Sequence, residues 1–336
     1  SQANIIDGKT TGIVTADISA GDMASLNTLT GTGNKYTVTV TDAQVNAADL
    51  NALNAKTDVS ITVNNVLEIT GSVADVKKFY ADADKVNAQA DKTDFTNASD
   101  NEAVKITDTT VDAGDLAVIR AAAGPGTSGA VTLLNVNTLT GTSTEIEAAF
   151  GFGNVSGIPA NVAATVKDAN GEVLAAKVKA VDALTTGLIT IDSTNTSLSG
   201  TLTNVRDVLK QGKLVADATA DATGVEKVTV TGLEGLDVTI SGTQTGATAI
   251  SVVEKVKTDY TVGKITATVD PAVKTAVSFT TAGHDNFISQ TGNVINIAAV
   301  TAAGGGAFDA TDTANLIKLS GVTSGSLTIS PADSAL

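Results

Sequence analysis

Cysteine and tryptophan are absent from the 336 residues, and the chain holds one histidine, one methionine, four prolines and two arginines, Arg120 and Arg206. Without cysteine there is no disulfide framework, no thiolate nucleophile and no Cys-ligated zinc or iron–sulfur centre. His284 is the sole histidine, so a nucleophile–histidine–carboxylate triad has to be built around it. No strained nucleophile elbow stands near it, and its setting beside Gly283 and Phe287 is that of a loop histidine. Two arginines leave little bidentate recognition of phosphate or carboxylate groups. No apolar run approaches the ~20 residues that a membrane span needs. The glycines follow strand ends singly and do not cluster ahead of a helix, so neither a Walker loop nor a dinucleotide fingerprint is present.

Aromatic residues are also scarce, with seven Phe and three Tyr. A core must therefore be packed from Val, Leu, Ile and Ala, which suits a thin apolar layer. Platforms for stacking sugars are poorly supplied. Hydrophobic residues still make up 42% of the chain, and a disordered acidic chain would be depleted in them.

Acidic residues outnumber basic ones 36 to 21, for a formal net charge of −15. That excess repels a phosphate backbone, so nucleic acid is excluded as a partner, and it keeps a large solvated surface from aggregating. Length alone predicts about two domains at ~150 residues each, a rule that a repeat array evades. The chain opens Ser1-Gln2-Ala3-Asn4, with no Met and no basic-then-apolar segment, and is expected to be a fragment of a longer chain.

Two patterns recur. The first is Val45-Asn46-Ala47-Ala48-Asp49-Leu50-Asn51-Ala52-Leu53, repeated as Val111-Asp112-Ala113-Gly114-Asp115-Leu116 and more loosely from Ile18 to Leu26. Alternating segments, Tyr36 to Asp42 and Val104 to Asp108, precede two of the copies and predict half-buried strands. The second is Ile69-Thr70-Gly71-Ser72-Val73-Ala74-Asp75-Val76, echoed from Leu139 to Ile146 and from Leu198 to Val205. Here Ser72, Thr142 and Thr201 are placed to accept from first-turn amides of a helix, and Asp75 or Glu145 to reach back. The preceding glycine turns the chain sharply out of the strand.

The copies at 18, 45 and 69 stand about 24 to 27 residues apart, and the spacing resumes at 111 and 139. One short strand and one short helix cannot bury both their faces, whereas stacked copies line up strands in parallel under a helical layer. The expected fold is therefore an α/β repeat solenoid of parallel strands backed by short helices over residues 1–223. A polar insertion is expected near 81–101. Around Gln211 to Glu226 the composition shifts, and past it helix signals mostly disappear in favour of short strands. Residues 224–336 are expected to form a β-rich solenoid or sandwich region.

The alternation of Ala-Ala-Asp-Leu-Asn helices with Leu-Thr-Gly-Thr or Ile-Thr-Gly-Ser turns, over roughly residues 10 to 210, resembles the tandem repeats of giant cyanobacterial cell-surface proteins. The C-terminal third more loosely resembles bacterial S-layer and haemolysin-type (RTX) secreted proteins. These resemblances imply an extracellular or cell-surface location, calcium-dependent folding or assembly, and roles in surface coats, adhesion or motility. Gly283-His284-Asp285-Asn286-Phe287 fits half of one haemolysin-type calcium repeat, which makes Asp285 the candidate metal ligand. Gly304-Gly305-Gly306-Ala307-Phe308-Asp309 departs from that family's spacing, and a calcium site between stacked turns needs more than one copy to supply six or more oxygens. Gly283 and Asp285 also suit a plain turn.

The expected function is a non-enzymatic structural module of a secreted bacterial surface protein. Its partners would be cell-surface polysaccharide or neighbouring copies of itself, and calcium is the one cofactor implied. The alternative is a polysaccharide-binding or -degrading β-solenoid, which needs a pair of acids at ~5–10 Å and a distinct cluster of aromatics. The sequence shows repetition and no such cluster.

Overall fold

The computed structural model describes residues 2–83, 95–96, 102–123, 130–212, 229–245, 249–270, 287, 292–300, 323 and 325–329. These divide into two units, one comprising Ser1–Gly141 and Glu145–Ala164, the other Thr142–Thr144 and Thr165–Leu336. The chain is an α/β fold of open parallel sheets, not closed into a barrel.

In unit 1, α1 (Gln2–Asp7) precedes β1 (Thr15–Asp17), α2 (Met23–Leu26), β2 (Lys35–Thr39), β3 (Gln44–Asn46) and α3 (Ala47–Asn54). Next come β4 (Ile61–Thr62), β5 (Glu68–Gly71), α4 (Val73–Ala83), β6 (Phe95–Thr96), β7 (Ala103–Ile106), β8 (Thr110–Asp112) and α5 (Ala113–Ala122). Then follow β9 (Val131–Leu133), β10 (Thr138–Gly141), α6 (Ser143–Phe150) and β11 (Val155–Ser156), and the division between the units falls within α6, whose Ser143 and Thr144 belong to unit 2, and within β12 (Ala163–Val166). Unit 2 continues with β13 (Glu172–Leu174), α7 (Ala175–Asp182), β14 (Ile189–Ile191), β15 (Ser197–Thr201), α8 (Leu202–Gln211) and β16 (Val230–Thr231). It ends in β17 (Asp237–Thr245), α9 (Ala249–Asp259), β18 (Ile265–Asp270), β19 (Val294–Val300) and β20 (Leu327–Ile329).

Unit 1 contains a four-stranded sheet in the order β1-β2-β4-β6 and a five-stranded sheet in the order β3-β5-β7-β9-β11. It also contains the β8–β10 pair. In unit 2, β14 pairs with β16, and β13-β15-β17-β18-β19-β20 form a six-stranded sheet. All of these pairings are parallel, with registers such as Gln44↔Glu68, Thr110↔Thr138 and Glu172↔Ser197.

Period-two alternation builds the strands. Tyr36 and Val38 of β2 are buried between exposed Lys35 and Thr37, and Val104 and Ile106 of β7 are buried on either side of Lys105. The helices bury a stripe three residues apart: Ala47, Leu50 and Leu53 in α3, Ala113, Leu116 and Ile119 in α5, and Ala175, Val178 and Val181 in α7. Each fully buried Leu or Ile contributes roughly 1.5–3 kcal/mol relative to exposure. Among the described residues Tyr36 and Phe79 are the only aromatic residues in the set of largest fully buried side chains, and the core there is an aliphatic layer as the composition predicts.

Glycine stands at the last position of the strand ahead of α4 and at the last but one ahead of α8 for a steric reason. A Cβ on Gly71 would lie 3.2 Å from the Ala47 Cβ, and one on Gly200 would lie 3.2 Å from the Ala175 Cβ. Their φ angles of 159° and 154° lie at the margin of what a side chain accepts. The Ser72 hydroxyl caps α4 by accepting from the Asp75 amide at 3.1 Å, and Thr201 caps α8 by accepting from the Asn204 amide at 3.3 Å. The reciprocal bond differs from a capping box: Asp75 Oδ2 accepts from the Ser72 hydroxyl at 2.6 Å.

Three sequence expectations are revised. The loose copy from Ile18 to Leu26 is out of step, because Asp22 is the N-cap of α2 and so matches Asn46 and Asp112, not Asp49 and Asp115. The region expected to be strand-rich contains α9, whose buried Ala249, Ile250, Val253 and Val256 follow helical spacing in β-branched residues. Within the expected insertion near 81–101, Phe95–Thr96 is strand β6, in register with Ile61–Thr62, while residues 84–94 and 97–101 lie outside the described residues. The composition shift at 211–226 lies outside them from residue 213 onward.

Candidate functional site

Several of the abundant carboxylates are occupied by backbone amides. Asp42 Oδ2 accepts from the Met23 amide at 2.7 Å, Asp108 Oδ2 from the Val73 amide at 2.6 Å, and Asp168 Oδ1 from the Ser143 amide at 2.6 Å. Met23, Val73 and Ser143 are the first residues of α2, α4 and α6, where amides lack intrahelical partners and the helix dipole favours an anion. Asp22 accepts from the Ser25 amide at 2.8 Å; the Ser25 hydroxyl, then this amide, hold its carboxyl below the ordinary value. Asp192 is lowered in the same way by the Thr194 hydroxyl at 2.6 Å and then by the Thr194 amide at 2.9 Å. Asp42 and Asp108 close the alternating segments noted in the sequence, where they have the appearance of strand ends. The signal for their role was their recurrence just after the strand.

The expected metal ligand, Asp285, lies outside the described residues, as do His284, Gly283 and Gly304-Gly305-Gly306-Ala307-Phe308-Asp309. Among the described residues no group of three or more His, Cys, Asp or Glu side chains is arranged to hold a metal ion. Cross-segment ion pairs are surface features: Lys77 with Asp115, Lys105 with Glu68 at 2.8 Å and Lys179 with Asp207 at 2.5 Å. Each is partly solvent-exposed and contributes little on its own.

The described residues also form concavities. In unit 1 a groove of about 670 Å³ between α1, β1 and α2 is lined by Ala3, Ile6, Ile18 and Leu26, with Asp17 as its only acid. In unit 2 a cavity of about 190 Å³ is lined by Leu209, Leu233, Val262, Glu234 and Tyr260. Burial raises the Tyr260 phenol above its ordinary value. Neither lining brings together the two carboxylates that glycoside hydrolysis uses.

Buried polar residues stitch neighbouring segments together. Asn34 Oδ1 accepts from the Val14 amide at 2.9 Å, and Asn293 Oδ1 accepts from the Ile265 amide at 2.9 Å. Asn195 Nδ2 donates to the Val166 carbonyl at 3.0 Å while its Oδ1 accepts from the Asp168 amide at 3.2 Å. These residues tie one segment to the next across 20 to 29 positions of sequence.

No family model matches the chain, and no curated protein or solved structure is similar to it. No helix of the described residues is long and apolar enough to cross a membrane.

Proposed function

We propose that the chain is a non-enzymatic structural module of a secreted bacterial surface protein, in which successive strand–helix segments act as stacked coils of a solenoid. The single observation that carries this reading is the recurrence of one local design in parallel register, with strand pairs Gln44↔Glu68, Thr110↔Thr138 and Glu172↔Ser197 each followed by helices that bury equivalent residues. Repetition of this kind supplies surface and extent, whereas catalysis calls for one distinct segment. The polar residues within the described part support the same role, since Asp42, Asp108, Asp168, Asn34 and Asn195 are consumed in joining segments. The partners are cell-surface polysaccharide or further copies of the chain, and the location is the cell exterior.

The test is to incubate the purified chain with isolated cell-wall polysaccharide, measuring co-sedimentation and the release of new reducing ends together. Retention on the polysaccharide or self-association without new ends is the expected result. New reducing ends, abolished by no contaminant control, would overturn the structural role.

A further inference from the structure

We infer that the coils are organised in two-coil modules, each closed by an alanine–glycine seam and latched to the helix before it by an aspartate. This rests on the stacked-coil reading above. The seam recurs at Ala47 and Gly71, Ala113 and Gly141, and Ala175 and Gly200, where a Cβ on the glycine would lie 3.2, 3.6 and 3.2 Å from the alanine Cβ. Each alanine is the first residue of its helix and is fully buried. The residue ahead of each glycine is in register with the residue ahead of each alanine: Asn46↔Thr70, Asp112↔Thr140 and Leu174↔Ser199. These three strand pairs, β3–β5, β8–β10 and β13–β15, each begin at the edge strand of a sheet. A module is therefore a strand followed by an alanine-led helix, then a strand with glycine at or next to its end followed by a second helix.

The latch lies at each module's entrance. Asp42, Asp108 and Asp168 occupy the corner just ahead of β3, β8 and β13. Each reaches back to the first amide of the preceding helix, α2, α4 or α6, across 19, 35 and 25 residues of sequence. The Ser143 hydroxyl adds a second donor to Asp168 at 3.0 Å. Helices α3 and α5, which open modules, are capped by Asn46 and Asp112, accepting at 2.8 and 3.0 Å, and α2 and α4 also carry caps of their own, Asp22 and Ser72, to which the latch adds a partner for the first amide. The first turn of a module's last helix is completed only when the next module is in place. The aspartate thereby adds a charge-assisted bond between a module's entrance and the helix ahead of it.

Hydrogen exchange followed by mass spectrometry on the full chain separates this from local capping. Asp108→Ala is expected to speed exchange roughly three- to thirty-fold in the first turns of α4, the range of a lost cap, and to leave α5 as in the parent. Asp112→Ala is expected to do the reverse, and Asp108→Asn, which keeps one acceptor, to fall between. Should Asp108→Ala fail to fold, Asp108→Asn carries the same comparison. The latch is overturned if Asp112→Ala acts on α5 while both Asp108 variants leave α4 unchanged. If both positions speed exchange evenly through unit 1, the stacked-coil reading itself fails.

Discussion

Asp108 and Asp112 are four residues apart and look alike in sequence, yet one accepts from an amide three residues onward and the other from an amide 35 residues back. Small residues carry as much of the structure as these acids. Gly71→Ala is predicted to destabilise by about 1–3 kcal/mol in urea titration, because the new methyl meets Ala47 inside a packed seam. The Tyr36 hydroxyl is buried and has no partner among the described residues, and burial, then Asp7, raise its phenol. Tyr36→Phe is therefore expected to be neutral or to stabilise by up to ~1 kcal/mol, read as the unfolding midpoint.

The raised Tyr36 pKa also has a sign in stability. Its contribution is complete below the unfolded value near ~10 and is lost as pH rises through the folded one. Tyrosinate absorbance should thus appear late for Tyr36 and coincide with alkaline loss of structure. Asp22 and Asp192, whose pKa values are lowered, contribute above the unfolded value near ~3.9 and lose that contribution in more acid solution.

At the scale of elements, α3, α4, α5 and α8 were legible because a cap residue, a small residue and a periodic apolar stripe coincide in each. The helix α9 was hidden because its stripe is built from Val and Ile, which read locally as strand, and only the tertiary burial of Val253 and Val256 decides for helix. Strand β6 was hidden because two residues, Phe95 and Thr96, are too short for any period to show. The cross-segment aspartates were hidden for a different reason: sequence reveals that a carboxylate follows a strand, but not which distant amide lies opposite. Of the candidate site, the position of Asp42 and Asp108 just after a strand was legible, and the amide each meets was not. Leu116, fully buried in α5, tests the apolar stripe directly: Leu116→Ala is predicted to cost about 2–5 kcal/mol in chemical denaturation.

At the scale of the whole molecule, the net charge of −15 leads us to propose a cation as an external stabiliser, with Asp285 as the proposed ligand. Millimolar calcium is expected to raise the thermal midpoint relative to excess chelator, and Asp285→Asn to remove the rise. An unchanged midpoint would confine stabilisation to the packing and hydrogen bonds already described.

In the proposed stack of coils, each coil depends mainly on its neighbours. Truncation after Gly212, followed by hydrogen exchange of the shortened and full-length chains, tests it most directly. Nearest-neighbour stacking predicts unchanged protection in α3 and α5 and faster exchange confined to the segments next to the cut, α7 and α8. Loss of protection throughout, from β2 to α8, would show one indivisible cooperative fold and contradict the account.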